Sequence, residues 1–366
     1  MPSSTSSSSV DRGPIRPIPT MPWMRTFGLM ALLLVVLLGS WELYWRDRGF
    51  VPSINNSPGL WAETRRRVDA GEPNATVFIG SSRTLFDIDL QVWREETGVL
   101  PIQLALEGSN PLPVLTSLAE DEDFAGLLIV GVTPPLVMMP EIGYRADAFE
   151  RYGSETPSQW LGHRLSVPLE RLFAFYHFDT RLFTVLHRQA WWPAREGRDF
   201  EARAVRRLSD MDEHREADLW LKIDDDPEYA TLVTDIWKEF VESAPPPPPE
   251  DVAREMFEQT LANLQRDVTA IRSRGGEVVF LRLPSVGWFR EFEANALPRE
   301  HVWEPIVASV EAVGVHFEDY EELSDVRVPE WSHVSARDKG RLTRALVGIF
   351  REQLAAAGIN RPELGE

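Results

Sequence analysis

The sequence predicts an α/β protein: a three-layer domain on a sheet of about five parallel strands, split by a helical insertion and preceded by one transmembrane helix. Three observations predict it. Short, wholly apolar runs alternate with helix-like segments, which is how strands buried on both faces of a parallel sheet read. A stretch over 141–249 breaks that alternation. A long apolar run lies close to the N-terminus.

Residues 1–26 are rich in Ser and Pro and read as a disordered tail. The run FGLMALLLVVLLGSWELYW, residues 27–45, follows, with Glu42 its one charge. About 20 apolar residues cross a bilayer core, so this run is just long enough. Trp23 on one side and Trp41, Tyr44 and Trp45 on the other fit interfacial belts. Arg12, Arg16 and Arg25 precede the run, which favours a cytoplasmic N-terminus and an extracytoplasmic, periplasmic C-terminal domain. The competing reading is a cleaved signal peptide. No clear A-x-A site follows the run, and bulky Trp41–Trp45 occupies the place of cleavage, so an uncleaved anchor is preferred.

Residues 46–74 read as a linker with a short helix. The domain proper covers 75–140 and 250–358. Ala75–Ile79 is the first strand. Asp89 caps a helix to Thr97, and Gly98 ends it. Pro101–Leu106 is a second strand, Pro111–Ala119 a helix opened by Ser109 and Asn110, and Gly126–Val130 a third strand. The insertion over 141–249 reads as helices without a clean strand and ends in the stiff run Pro245–Pro249. Asp251–Arg274 is then a helix with Met256, Leu261, Leu264, Val268 and Ile271 on one face. Glu277–Leu283 is a strand, His301–Val313 a helix, and Val315–Phe317 a short strand. Ser335–Ala357 is the last helix, with Ser335-x-x-Asp338 as a capping box and Leu342, Ala345, Leu346, Ile349 and Leu354 as the buried stripe.

Composition removes several classes of function. The net charge of −19 repels phosphate backbones and argues against nucleic acid as a partner. With no cysteine there is no disulfide, thiolate nucleophile or iron–sulfur cluster. The seven histidines show no metal-ligand spacing, so neither metal nor cofactor is expected. Oligomeric state is not legible.

Open α/β sheets place their sites at the carboxyl ends of strands. Those ends carry Gly80-Ser81-Ser82-Arg83, Glu107-Gly108-Ser109-Asn110, Gly131-Val132-Thr133 and Arg282. Pro329-Glu330-Trp331-Ser332-His333 precedes the final helix. Gly80–Arg83 is neither a G-x-S-x-G elbow nor a P-loop, and no glycine loop suits a nucleotide. Glu330 and His333, three residues apart, can face the same way, so the carboxylate can orient the imidazole. Bland readings stand beside these. Ser81 and Ser82 suit any strand-to-helix turn, and His333 suits a helix start. Asn110 suits an N-cap. Arg83 suits a buried acid such as Glu107, and Arg282 a salt bridge. The tryptophans of the insertion, Trp160, Trp191, Trp192, Trp220 and Trp237, suit stacking on sugar rings, but most suit core packing better, with Trp191 and Trp192 the pair expected at the surface.

Gly80-Ser81-Ser82, the glycine turn at Gly108 and Glu330-x-x-His333 resemble blocks I, II and V of the SGNH/GDSL hydrolase superfamily. "GSSR", "LALEG", "LRLP" and "WSH" before a final helix look like its membrane-anchored bacterial branch, similar to acetyltransferase-like proteins of exopolysaccharide systems. The resemblance covers roughly 75–135 and 275–357. It implies a flavodoxin-like fold, Ser82 as nucleophile, His333 as general base, and Glu330 where the family usually has Asp. It implies an oxyanion hole from Ser82 N–H, Gly108 and a block III Asn. That Asn is missing here, and Asn110 or Thr133 are the candidates to replace it. Arg83, Thr133 and Arg282 are candidate substrate-binding residues. Two functions follow: an esterase or O-acyltransferase on a cell-surface glycan or similar acyl ester, or an inactive scaffold or glycan-binding protein of the same fold.

Overall fold

A computed structural model describes residues 22–69, 75–139, 141–188, 207–244 and 246–365. The tail expected to be disordered lies outside the described residues up to position 21, as do Trp191 and Trp192. Two compact units result, residues 1–50 and 51–366.

The first unit contains α1 (Trp23–Arg46), whose 24 residues make a rod of about 36 Å. None of its side chains is buried. It is long and apolar enough to cross a membrane. Trp41, Tyr44 and Trp45 cluster at its C-terminal end, with Trp41 stacked on Tyr44 at 5.5 Å.

The second unit begins with α2 (Pro58–Asp69). Its first half runs β1 (Thr76–Ile79), α3 (Ser82–Asp87), α4 (Leu90–Thr97), β2 (Ile102–Gln103), α5 (Leu112–Glu120), β3 (Leu127–Gly131) and α6 (Pro134–Val137). The caps form for the expected reasons. Asp89 accepts from the N–H groups of Gln91 and Val92, and Gly98 closes α4 in the left-handed conformation.

The insertion holds α7 (Ala146–Ser154), α8 (Pro157–Leu172), α9 (Leu182–His187), β4 (Ser209–Met211), β5 (Ala217–Leu219), α10 (Leu221–Asp225) and α11 (Pro227–Glu242). The expectation of a strand-free insertion is corrected here, since β4 and β5 pair antiparallel. The chain then runs α12 (Glu250–Ser273), β6 (Glu277–Arg282), α13 (Gly287–Ala296), α14 (Arg299–Ser309), β7 (Gly314–His316), α15 (Glu321–Ser324) and α16 (Lys339–Ala356).

The main sheet has the order β2-β1-β3-β6-β7, and every pairing is parallel. Setting the hairpin aside, this is the 2-1-3-4-5 order of doubly wound folds. Side chains alternate across it. Val77, Ile79, Leu128, Val130 and Phe280 share one core with Trp61, Leu118, Val268 and Ile306. Phe78, Leu127, Ile129, Val279 and Leu281 share the other with Trp93, Leu342, Leu346 and Phe350.

The last helix starts at Lys339 rather than Ser335. The capping box does not form because both of its side chains are engaged elsewhere. Ser335 Oγ donates to Asp224 Oδ2 at 2.6 Å, and Asp338 Oδ2 accepts from Arg327 N at 2.8 Å.

The insertion is stitched into the domain. Ile54 N donates to Met211 O at 2.8 Å. Arg215, fully buried, donates to the carbonyls of Gln103 and Ala105 at 2.7 and 2.8 Å. Met211 and Ala217 of the hairpin share a small core with Leu85 and Phe86 of α3.

Candidate active site

The site begins where β1 ends. Gly80 follows the strand, Ser81 stands extended at the cap position, and Ser82 is the first residue of α3. So tight a passage needs glycine on two strands. A Cβ on Gly80 or on Gly131 at the end of β3 would overlap the hydroxyl of Thr84, which sits over both strand ends. Ser81 and Arg83 are buried while Ser82 is half-buried.

The other half comes from the loop between β7 and α16. Glu330 is fully buried and His333 nearly so. Trp331 between them has φ 73°, a left-handed conformation rarely adopted by a bulky residue. Its carbonyl accepts from Val286 N at 3.0 Å, which ties the loop to the segment after β6.

The two halves meet. His333 Nε2 lies 2.8 Å from Ser82 Oγ, and His333 Nδ1 lies 2.9 Å from Glu330 Oε1. The same oxygen accepts from the backbone N–H of His333 at 2.6 Å. A carboxylate can only accept, so Nδ1 must carry the proton and Nε2 is left to accept from the serine. Glu330 Oε2 accepts from the indole Nε1 of Trp237 on α11. The indole also meets the imidazole edge-on at 6.2 Å, and Phe86 packs on the imidazole at 4.8 Å.

Beneath the histidine lies Asp87, fully buried, whose Oδ1 accepts from Val334 N at 2.8 Å. Burial pushes its carboxyl from 3.8 up to about 7, against the opposing pull of His333, the Val334 N–H and Arg83.

The other expected site residues go elsewhere. Arg83 pairs with Glu293 on α13 at 2.8 Å and donates to Ser332 Oγ at 3.2 Å. Glu107, its expected partner, instead pairs with Arg145 at 2.7 Å. Arg282 grips the second oxygen of Glu293 at 2.5 Å, so it forms the salt bridge that was the alternative to a pocket role. Burial pushes the Glu293 carboxyl up, but Arg282 and Arg83 overcome this and hold it down at about 2. Thr133 Oγ1 pairs with Ser81 Oγ at 2.7 Å. Asn110 is not the N-cap of α5, a place taken by Pro111; it stands one residue earlier, accepting from Leu112 N at 3.0 Å and donating to Met139 O at 2.6 Å. One of its two amide hydrogens is thereby committed to the backbone. Gly108 takes a left-handed turn (φ 57°) just after Leu106, whose N–H meets Gly80 O at 2.9 Å. That contact brings the two glycine turns side by side.

A serine hydroxyl, an imidazole and a carboxylate in hydrogen-bonded series form the arrangement that activates a hydroxyl for attack on an acyl carbon. No protein-family model, curated protein or solved structure matches this chain. Sequence reasoning missed Trp237 and Asp87. Trp237 was grouped with core-packing tryptophans, and only its 93-residue reach across the fold reveals its partner.

Proposed function

We propose that the protein is a membrane-anchored serine esterase or O-acyltransferase of the SGNH kind, with α1 as the anchor and residues 51–366 outside the cytoplasm. Its substrate would be an acyl ester on a cell-surface glycan or a similar ester. One observation carries the reading: Ser82, His333 and Glu330 stand in hydrogen-bonded series at 2.8 and 2.9 Å, although 251 residues of chain separate the serine from the histidine.

In this reading Ser82 Oγ attacks the acyl carbonyl while His333 Nε2 takes its proton. Glu330 stabilises the imidazolium. The N–H groups of Ser82 and Gly108 are the donors offered to the oxyanion. When the tetrahedral intermediate collapses, the ester C–O bond breaks and Nε2–H protonates the departing alkoxide. The acyl group stays on Ser82. Water or a sugar hydroxyl then attacks it, again giving its proton to Nε2, and Ser82 leaves with that proton.

A second reading has one observation in its favour. Asn110 and Thr133 are both held by other groups of the fold, which suits an inactive scaffold or glycan-binding protein. A fluorophosphonate probe separates the two. The full-length protein should label and should hydrolyse p-nitrophenyl acetate, with Ser82→Ala losing both, by a factor on the order of 10⁶ in turnover. Absence of labelling in the native protein, or equal rates in the two proteins, would favour the scaffold.

A further inference from the structure

Arg83 follows the candidate nucleophile directly and takes no part in the proposed chemistry. It is nevertheless 2% exposed, and a guanidinium is costly to bury unless its charge is balanced. Helix α13 supplies the balance, with Glu293 as its one buried residue. Glu293 Oε1 faces Arg83 Nη2 at 2.8 Å, while Oε2 takes Arg282 at 2.5 Å and the Ser285 hydroxyl at 2.7 Å. Phe289, one turn earlier on α13, lies with its ring 5.2 Å from the guanidinium carbon of Arg83.

With its charge fixed on that side, Arg83 turns its Nε to the other. Nε donates to Ser332 Oγ at 3.2 Å, and Ser332 is the residue before His333. The contact is one of a set. Residues 83, 86 and 87 of α3 are spaced to share one face. That face meets three consecutive residues of the histidine loop. Arg83 meets Ser332, Phe86 packs on His333 at 4.8 Å, and Asp87 accepts from Val334 N at 2.8 Å. Arg83 adds to this face a tie to α13, a helix that carries neither reacting side chain. Two arginines share one carboxylate here, so Glu293 would be neutralised by Arg282 alone. What Arg83 adds is the contact to Ser332.

We propose that Arg83, fixed by Glu293, is a positioning residue that holds Ser82 and His333 in register, by joining the helix that starts at the serine to the residue before the histidine. This rests on the reading of Ser82 and His333 as a catalytic pair.

The charge balance selects the variants. Arg83→Met leaves Glu293 paired one to one with Arg282, whereas Glu293→Gln would leave two buried arginines on a neutral amide. Ser332→Ala deletes a single hydroxyl. Both substitutions, and the two together, are made in the full-length protein, and urea unfolding checks that the fold is kept. With p-nitrophenyl acetate, each single variant should lose about 10-fold or more in kcat with KM little changed. The double variant should be no slower than Arg83→Met alone, because the two substitutions remove the same contact. Hydrogen exchange at the His333 and Val334 amides, which bond Glu330 and Asp87, should quicken about 10-fold in both, with the amides of β3 unchanged. Losses that add in the double variant, a raised KM at unchanged kcat, or native exchange at both loop amides would overturn the proposal. If Arg83→Met does not fold, Ser332→Ala decides by its kcat and its exchange. A native protein without turnover would remove the esterase reading, and the exchange comparison would still decide whether Arg83 holds the pair.

Discussion

Trp237→Phe is the sharpest probe of the candidate site, because it deletes one N–H and leaves an aromatic ring in place. Glu330 is fully buried, and its two oxygens accept from three donors: the backbone and ring N–H groups of His333 on Oε1, and the indole of Trp237 on Oε2. Removing the indole leaves Oε2 without its donor. A hydrogen bond to a charged group contributes about 1.5–3 kcal/mol. If that energy appears wholly in the transition state, where Glu330 faces an imidazolium, turnover falls by roughly 10- to 150-fold. KM should change little, since Trp237 acts through Glu330. The assay is p-nitrophenyl acetate turnover by the full-length protein, measured in a double-mutant cycle with Glu330→Gln. With the charge gone, the Trp237 donor loses its value, so the two substitutions should couple by about 1–3 kcal/mol. Additive losses, or an unchanged turnover in Trp237→Phe, would refute a role through the carboxylate.

Two further expectations follow from neighbouring groups. Folded Asp87 holds its proton up to about pH 7, whereas the unfolded chain releases it near 3.8. The resulting stability is full below pH 4 and is lost as pH rises through 7. At about 1.4 kcal/mol per unit, the native protein should lose roughly 3 kcal/mol between pH 5 and pH 8 relative to Asp87→Asn, read from urea unfolding at both pH values. Parallel pH dependence in the two proteins would refute it. Thr133→Val tests whether the Thr133 hydroxyl serves Ser81 alone, as the 2.7 Å contact indicates. Turnover should fall less than about 10-fold, whereas loss of an oxyanion donor would cost about 10²–10³.

Much of the sheet was legible because its strands are short apolar runs closed by glycine, and periodicity reads such runs directly. The serine, histidine and glutamate were legible as a set because strand-end turns and the three-residue spacing of Glu330 and His333 are local features. What stayed hidden was set by distance or by shortness. Strands of three residues with the sequences SDM and ADL give no alternation to count. Helix α13, GWFREFEANA, buries Glu293 rather than an apolar stripe, so its inner face reads as polar. Arg83 could be expected to find an acid, but the partner stands 210 positions away on that helix, and no local pattern chooses it over Glu107. Ser335 and Asp338 have the spacing of a capping box, and a local rule reads them as one. Asp224 and Arg327 outcompete it through contacts that exist only in the folded chain.

The contacts around His333 explain what the insertion contributes. The segment from Arg327 to Lys339 carries the acid and the imidazole, yet it has little regular structure of its own. Three of the ties that hold it come from the insertion. Trp237 donates to Glu330. Asp224 accepts from Ser335 Oγ and pairs with Arg327 at 3.2 Å. Lys339, 2% exposed, is clasped by Glu216, by Asp218 at 2.6 Å and by Ala217 O at 2.9 Å. The domain's own sheet supplies the serine and its turn, with Asp87 and Val286 as its chief holds on the histidine loop. A left-handed Trp331 persists only where its surroundings over-determine it; Val286 N donates to its carbonyl and Trp288 packs near its ring at 6.1 Å, while the insertion holds its neighbours Glu330 and Ser335. The geometry at Ser82 therefore depends on the insertion being docked. A helical segment that the sequence marks only as an interruption of the α/β pattern becomes part of the frame that sets the Ser82–His333 distance.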